Sequence, residues 1–101
     1  MKPITIVRRL SRNIAPLSFT DPVTHVYNPL EYAIGAHKAY LERYCKPGVE
    51  ALLLGMNPGP WGMVQTGVPF GEVALVRDWL EISSGVRKPA IEHPKRLIEG
   101  F

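Results

Sequence analysis

The sequence is poor in residues that cross-link chains or bind metals. It has one cysteine, Cys45, and three histidines, at positions 25, 37 and 93. A lone cysteine cannot build the disulfide framework of a small secreted domain, so a reducing, intracellular setting is expected. The histidines and Cys45 share no metal-ligand spacing, so no metal is expected. No run of 18 apolar residues occurs, and no membrane-spanning segment is expected.

Two nucleotide-binding motifs are also missing. No lysine lies between Lys46 and Lys88, which excludes a P-loop, and the glycine spacing does not match the dinucleotide-binding pattern G-x-G-x-x-G. No acidic residue precedes Asp21, so the first 13 residues, MKPITIVRRLSRN, carry only positive side-chain charge. We interpret them as a basic first helix rather than an organelle transit peptide. The net charge of +3 permits an anionic partner without requiring one.

The composition is that of a folded chain. Hydrophobic residues make up 46% and charged residues 21%, both near globular averages. The 101 residues allow one small domain at most. Apolar spacing predicts a helix over residues 5–15, with Thr5 as N-cap and Pro16 as the stop. A second helix is predicted from an N-cap at Asn28 to about Tyr44, before a break at 47–48.

The second half of the chain predicts a layered α/β fold. Ala51 to Leu54 is a short apolar run bounded by glycines, typical of a strand buried on both faces of a parallel sheet. Glu72 to Ile82 is predicted to be a helix and residues 83–101 a loop. One strand cannot form a sheet alone. The chain is therefore either a small helical unit whose strand pairs in an oligomer, or the front part of a longer fold.

The segment GMNPGPWGMVQTGVPFG, residues 55–71, is the most informative part of the sequence. We call it the Gly55–Gly71 loop. Its glycines allow close backbone approach to a ligand, and its prolines limit the entropy lost on binding. Trp61 and Phe70 have rings that can stack on a flat ligand, and Asn57 can donate and accept hydrogen bonds. These residues suit a nucleobase, but they equally suit an elaborate connection whose aromatic side chains fill the core.

A resemblance to a known family decides between these interpretations. The stretch GMNPGPWGMVQTGVPFGEV resembles the first active-site motif of single-strand-selective monofunctional uracil-DNA glycosylases, within the uracil-DNA glycosylase superfamily. The stretches VYNPLEYA, VRDWL and EHPKR also resemble that family. The resemblance implies that residues 1–101 are the N-terminal part of an α/β domain with a three-layer α/β/α architecture and a central parallel sheet. It also implies that the base-reading asparagine and the H-P-S-P-R segment of the family lie beyond these residues.

The resemblance implies the chemistry as well. The family hydrolyses the N-glycosidic bond of uracil and its oxidised derivatives in DNA, which is a step of base excision repair after base flipping. Asn57 would position the attacking water, Phe70 would stack on the flipped uracil, and Gly59 and Met63 would contact the base edge. The implied partner is single- or double-stranded DNA containing uracil. No cofactor, no metal and no membrane are implied, and the protein would be a monomer.

The resemblance also implies a place of action: the nucleus if the source is eukaryotic and the cytoplasm if it is bacterial.

The remaining predictions concern individual residues and the activity of the chain. Met56 and Trp61 are predicted to pack inside the protein, and Cys45 to be a small buried residue. The 101-residue chain alone is predicted not to excise uracil. The alternatives are a non-catalytic nucleic-acid-binding or inert fragment of the same lineage, and an unrelated small α/β binding module.

Overall fold

The computed structural model describes residues 1–101, and all of its regular structure is helical. The elements in chain order are α1 (Pro3–Ile14), α2 (Pro29–Tyr32), α3 (Ile34–Tyr44), α4 (Met63–Thr66) and a π-helix (Leu75–Trp79). The other residues form turns and irregular connections, and no β-strand is present. None of the helices combines the length and the apolar character that crossing a bilayer requires.

Helix α1 begins earlier than predicted. Pro3 occupies the first helical position, where its fixed φ and missing N–H are tolerated, and Lys2 precedes it in an extended conformation. The predicted N-cap at Thr5 is therefore wrong, because Thr5 already lies inside the helix. The predicted end before Pro16 is confirmed. None of the residues of α1 is fully buried.

The predicted start of the second helix is confirmed in atomic detail. The Asn28 side-chain oxygen accepts a hydrogen bond from the Leu30 amide at 3.2 Å, and Pro29 takes the first helical position. The Asn28 amide nitrogen also donates to the Ser11 hydroxyl at 3.2 Å. One asparagine thus caps α2 and ties α1 to it, which explains how a helix with little burial keeps its place.

The prediction of one continuous helix to Tyr44 is wrong, because the helix breaks at Ala33. In a continuous helix the Ala36 amide would donate to the Tyr32 carbonyl. Instead, that carbonyl accepts from the Arg87 amide at 2.7 Å, and the Ala36 amide donates to the Gly85 carbonyl at 3.2 Å. The C-terminal segment therefore replaces one helical hydrogen bond with two tertiary ones and divides the helix into α2 and α3.

The predicted strand at Ala51 to Leu54 is absent. Leu52, Leu53 and Leu54 expose 85%, 79% and 90% of their surface. A strand buried on both faces needs hydrogen-bonding neighbours along its edges and a covering layer on each side, and this chain supplies neither. The predicted α/β class is therefore not seen in these 101 residues, which form a helical structure.

The helix predicted over Glu72–Ile82 is also wrong in part. The Glu72 carboxylate accepts hydrogen bonds from the amides of Ala74 and Leu75 at 2.8 and 3.2 Å, and so starts the element. The following turn is wide, because the Leu80 amide reaches the Leu75 carbonyl in a π-helical bond of 3.0 Å. Glu81 ends it with a left-handed φ of 56°. The predicted loop over 83–101 is confirmed.

The core is small and lies between α2, α3 and the two segments that follow. Thirteen of 101 residues are buried, so apolar burial alone provides limited stability. One apolar cluster contains Ala36, Val68, Val76 and Ile82, and the other contains Tyr32, Ala33 and Ile98. The chain is nevertheless compact, with a radius of gyration of 13.8 Å against about 13 Å expected for 100 residues. Both clusters pack against the Gly55–Gly71 loop and position it.

Candidate functional site

The second half of the Gly55–Gly71 loop is anchored on the start of α3. Gly67 ends α4 in a left-handed conformation with φ 73°. A Cβ atom at this position would lie 2.7 Å from the Ala33 Cβ and 2.8 Å from its carbonyl oxygen, so only glycine fits. The Gly67 carbonyl accepts a hydrogen bond from the buried His37 Nδ1 at 2.8 Å. Because a carbonyl can only accept, the His37 proton lies on Nδ1.

Burial keeps the His37 ring neutral. Its pKa is lowered because burial disfavours the charged ring, and the hydrogen bond to Gly67 only partly opposes this. The contacts of His37 are those of a structural residue. It supports the backbone of the loop and is 95% covered, so it offers little surface to a ligand.

Thr66 holds the loop from within. Its side chain is fully buried, and its hydroxyl donates to the Gly71 carbonyl at 2.8 Å while accepting from the Val68 amide at 3.1 Å. These two bonds close the chain into a tight turn between residues 66 and 71. The turn fixes the direction in which the side chain of the residue before Gly71 points.

That residue is Phe70, the predicted base-stacking side chain. It has φ 55°, a left-handed conformation that a residue with a side chain adopts at a cost of about 1–2 kcal/mol. Its ring is 68% exposed and lies over Gly55, where a Cβ atom would come within 3.2 Å of the ring edge. The alternative that Phe70 fills the core is therefore wrong. A strained backbone that presents an exposed aromatic ring is a recurring feature of ligand sites.

The other predicted site residues lie in the first half of the loop. Asn57 is exposed, and its only hydrogen bond with the protein runs from its Nδ2 to the neighbouring Pro58 carbonyl at 3.2 Å. Its Oδ1 is thus available to water. The Gly59 carbonyl accepts from the amides of Gly62 and Val64 at 3.2 and 3.1 Å, which places Gly59 in the turn that leads into α4. Met63 is partly buried and begins α4.

The structure corrects three packing predictions. Met56 exposes 98% of its surface and Trp61 exposes 64%, so neither fills the core. Cys45, predicted to be buried, is exposed just after α3 ends. The Arg96 guanidinium lies 5.3 Å from the centre of the Trp61 ring. This separation is in the range of a cation–π interaction.

Gln65 is a supporting residue that the sequence did not reveal. It is buried and its amide nitrogen donates to the Leu97 carbonyl at 2.9 Å, while its oxygen accepts from the Glu99 amide at 3.1 Å. The side-chain amide of Gln65 thus donates one hydrogen bond to the backbone of the C-terminal segment and accepts another from it, as a neighbouring strand would. Gln65 does not lie in a periodic segment, so only its long-range partners distinguish it from an exposed loop residue.

The loop is thus fixed by buried polar contacts and exposes an amide side chain and an aromatic ring. No protein-family model matches the chain. Over 93 residues, or 92% of its length, it is 54% identical to the single-strand selective monofunctional uracil-DNA glycosylases of Rattus norvegicus and Bos taurus. The corresponding protein of Mus musculus is 53% identical over 93 residues.

These matches confirm the predicted resemblance. The chain is related to the single-strand-selective monofunctional uracil-DNA glycosylases. It spans 33–34% of the length of these relatives, so it corresponds to about one third of each of them.

Proposed function

We propose that the Gly55–Gly71 loop forms one side of a uracil-excising site in DNA repair. The observation that carries this proposal is Phe70, an exposed ring in a left-handed conformation within a chain 54% identical to named uracil-DNA glycosylases. A stacking ring must be exposed to receive a base, and its strained backbone must be held by its surroundings. Thr66 and the turn at Gly71 provide that support.

In the proposed reaction, water attacks the anomeric carbon of the deoxyribose. The N-glycosidic bond breaks, and its electron pair leaves with uracil as an anion. Asn57 orients the water through its free Oδ1, since an amide can align a water molecule but cannot accept its proton. The proton that the attacking water loses passes to solvent, and the released uracil anion takes up a proton from solvent. The flipped base stacks on Phe70, while backbone groups at Gly59 and Met63 contact its edge. The anion must be stabilised by groups outside this loop.

The proposal includes a fold in which residues 51–54 form a strand. In a three-layer α/β/α domain with a parallel sheet, this apolar run would form a strand, and neighbouring strands would cover the exposed leucines. The loop would then follow the carboxyl end of a strand, where α/β folds bind their ligands. The partner is DNA, the protein acts as a monomer without a cofactor, and the nucleus or cytoplasm is its place of action.

A chimera tests the proposal. The matching 93 residues of the rat relative are replaced by those of this chain, and release of free uracil from a single-stranded oligonucleotide is measured under single-turnover conditions. We expect the chimera to excise uracil and the 101-residue chain alone to release none. A chimera that binds uracil-containing DNA without excising uracil would instead support a non-catalytic, nucleic-acid-binding role.

Two substitutions in the chimera separate chemistry from binding. Asn57→Ala should lower the single-turnover rate by about 10²-fold while leaving DNA affinity nearly intact, because the water is positioned chiefly for the transition state. Phe70→Ala should weaken binding by about 5- to 150-fold, the range of one lost stacking interaction. Phe19→Ala is the matched control, since Phe19 is 56% exposed outside the loop. Lost affinity with an unchanged rate in Asn57→Ala would show that its assigned role is wrong.

A further inference from the structure

A cavity of about 370 Å³ lies between the Gly55–Gly71 loop and the C-terminal segment. Its lining includes Trp61 and Gln65 from the loop, and Lys95, Leu97 and Glu99 from the C-terminal segment. This volume is within the range of small-molecule sites. None of these residues has a role in the proposed excision step, so the cavity is a separate feature beside the site of Asn57 and Phe70.

An exposed aromatic ring lies near two positive charges at this cavity: Trp61 and Lys95 line it, and Arg96 lies beside the Trp61 ring at its edge. Trp61 is 64% exposed, and the Arg96 guanidinium lies 5.3 Å from its ring centre. Neither Lys95 nor Arg96 forms an ion pair with a carboxylate. An exposed ring flanked by unpaired cations is the combination by which proteins bind single-stranded nucleic acid.

The turn that carries the cations is held in place by the protein. The Tyr27 hydroxyl donates to the Arg96 carbonyl at 2.7 Å and accepts from the His93 amide at 2.7 Å. The Lys95 amide donates to the His93 Nδ1 at 3.0 Å. These bonds fix the backbone on both sides of Lys95, so little backbone freedom is lost when its side chain binds an anion.

We propose that this cavity is a second nucleotide subsite, in which one base of single-stranded DNA stacks on Trp61 and the adjacent phosphates contact Lys95 and Arg96. The ligand class rests on the proposed function, which makes DNA the partner. The subsite binds a nucleotide that remains intact, whereas the base to be excised is held at Phe70.

The cavity recognises a stacked ring rather than a base sequence. The Gln65 amide is the group best suited to read a base edge, but both of its polar atoms are bonded to the backbone of Leu97 and Glu99. Stacking on Trp61 is available to every base. The Glu99 carboxylate opposes phosphate binding, so its removal should strengthen it.

Tryptophan fluorescence gives a direct test. The chain has two tryptophans, and Trp79 is 77% exposed, so Trp79→Phe leaves Trp61 as the only one without disturbing the core. This variant is titrated with a uracil-free oligothymidylate of about 12 nucleotides. We expect saturable quenching of the Trp61 fluorescence as a base stacks on it. In the matched Trp61→Phe chain, which keeps Trp79, no quenching is expected.

Affinity measurements complete the test. Trp61→Leu should weaken binding of the labelled oligonucleotide by about 5- to 150-fold, and Trp61→Phe should largely preserve it. Lys95→Gln and Arg96→Gln should each reduce the slope of log K against log salt by about 0.7. Glu99→Gln should tighten binding. Circular dichroism of each variant confirms that it keeps its helices.

The possible outcomes separate this proposal from the excision proposal. Quenching without uracil release in the chimera would support the subsite and reject the excision role. Uracil release by the chimera, with no quenching of the Trp61 fluorescence, would support the excision role and reject the subsite. Equal quenching in the Trp61→Phe chain, unchanged affinity in Trp61→Leu, or the same Trp61 quenching by inorganic polyphosphate would each overturn the stacking subsite.

Discussion

Buried polar side chains, together with the apolar clusters, hold the Gly55–Gly71 loop in shape. His37, Gln65 and Thr66 are each at least 94% covered, and each bonds a backbone carbonyl of the loop or of the segment that packs on it. Removing one partner of a buried hydrogen bond typically costs about 1–3 kcal/mol. In a chain with 13 buried residues, three such side chains are a large part of what fixes the site.

Substitutions at Gly67 and Gly48 separate the cost of backbone strain from the cost of a steric clash with Ala33. Gly67→Ala adds a Cβ 2.7 Å from Ala33, at φ 73°, whereas Gly48→Ala adds one at φ 86° with nothing within 4 Å. We expect Gly48→Ala to lower the free energy of unfolding by about 1–2 kcal/mol through strain alone. Gly67→Ala should lose about 1–3 kcal/mol more from overpacking. Urea unfolding measures both, and equal losses would contradict the close contact with Ala33.

His37 predicts a pH dependence of stability. Because burial lowers its pKa in the folded state, the unfolded state binds the proton first as the pH falls below about 6.5. Folding stability should then fall by up to about 1.4 kcal/mol per pH unit, and the contribution of His37 to the pH dependence should disappear about one unit above the unfolded pKa. His37→Gln, whose amide can still donate to Gly67, should flatten the curve between about pH 5.5 and 7.5. An unchanged curve in His37→Gln would show that His37 is not the titrating group.

Secondary-structure elements differ in how well the sequence predicts them, and the difference follows the range of the interactions. Asn28 and Pro29 start α2 through bonds within three residues, so the sequence contains the whole signal. The break at Ala33 depends on Gly85 and Arg87, more than 45 residues away, and no local pattern announces it. In the site, the roles of Asn57 and Phe70 come from the resemblance of the motif and stay predictions, whereas Gln65 depends on Leu97 and Glu99, more than 30 residues away, which no local pattern shows.

Gln65 is the loop side chain that bonds the backbone of the C-terminal segment, and this attachment can be tested. In Gln65→Leu, the Leu97 carbonyl and the Glu99 amide lose their shared partner. The Glu99 amide should exchange its hydrogen faster, while the Ile98 amide should stay protected by the Glu92 carboxylate, 2.7 Å away. Glu92→Gln is the complementary variant, because an amide oxygen accepts more weakly than a carboxylate. Hydrogen exchange read by NMR distinguishes the two, and unchanged Glu99 exchange in Gln65→Leu would contradict the attachment.

At the level of the complete chain, the exposed leucines at 52–54 conflict with a stable monomer. Three neighbouring side chains expose 79–90% of their surface, and Met56 beside them exposes 98%. Such an apolar run is a typical site of association. The resemblance implies a monomer, and in a monomer a second copy of the chain cannot cover these leucines. The neighbouring strands of the proposed sheet would cover them instead.

The isolated 101-residue chain should accordingly be weakly stable and should self-associate. We expect a thermal midpoint below about 60 °C, within or under the mesophile range, and a mass that rises with concentration in analytical ultracentrifugation. Leu52→Ser combined with Leu54→Ser should abolish association without lowering the midpoint, because these side chains are 85% and 90% exposed and contribute little to the folded core. The matched control is Leu10→Ser in α1, which is 49% exposed and outside the run. A monomeric chain at all concentrations, or a double variant that unfolds at a much lower temperature, would show that residues 51–54 are already packed in the chain as it stands.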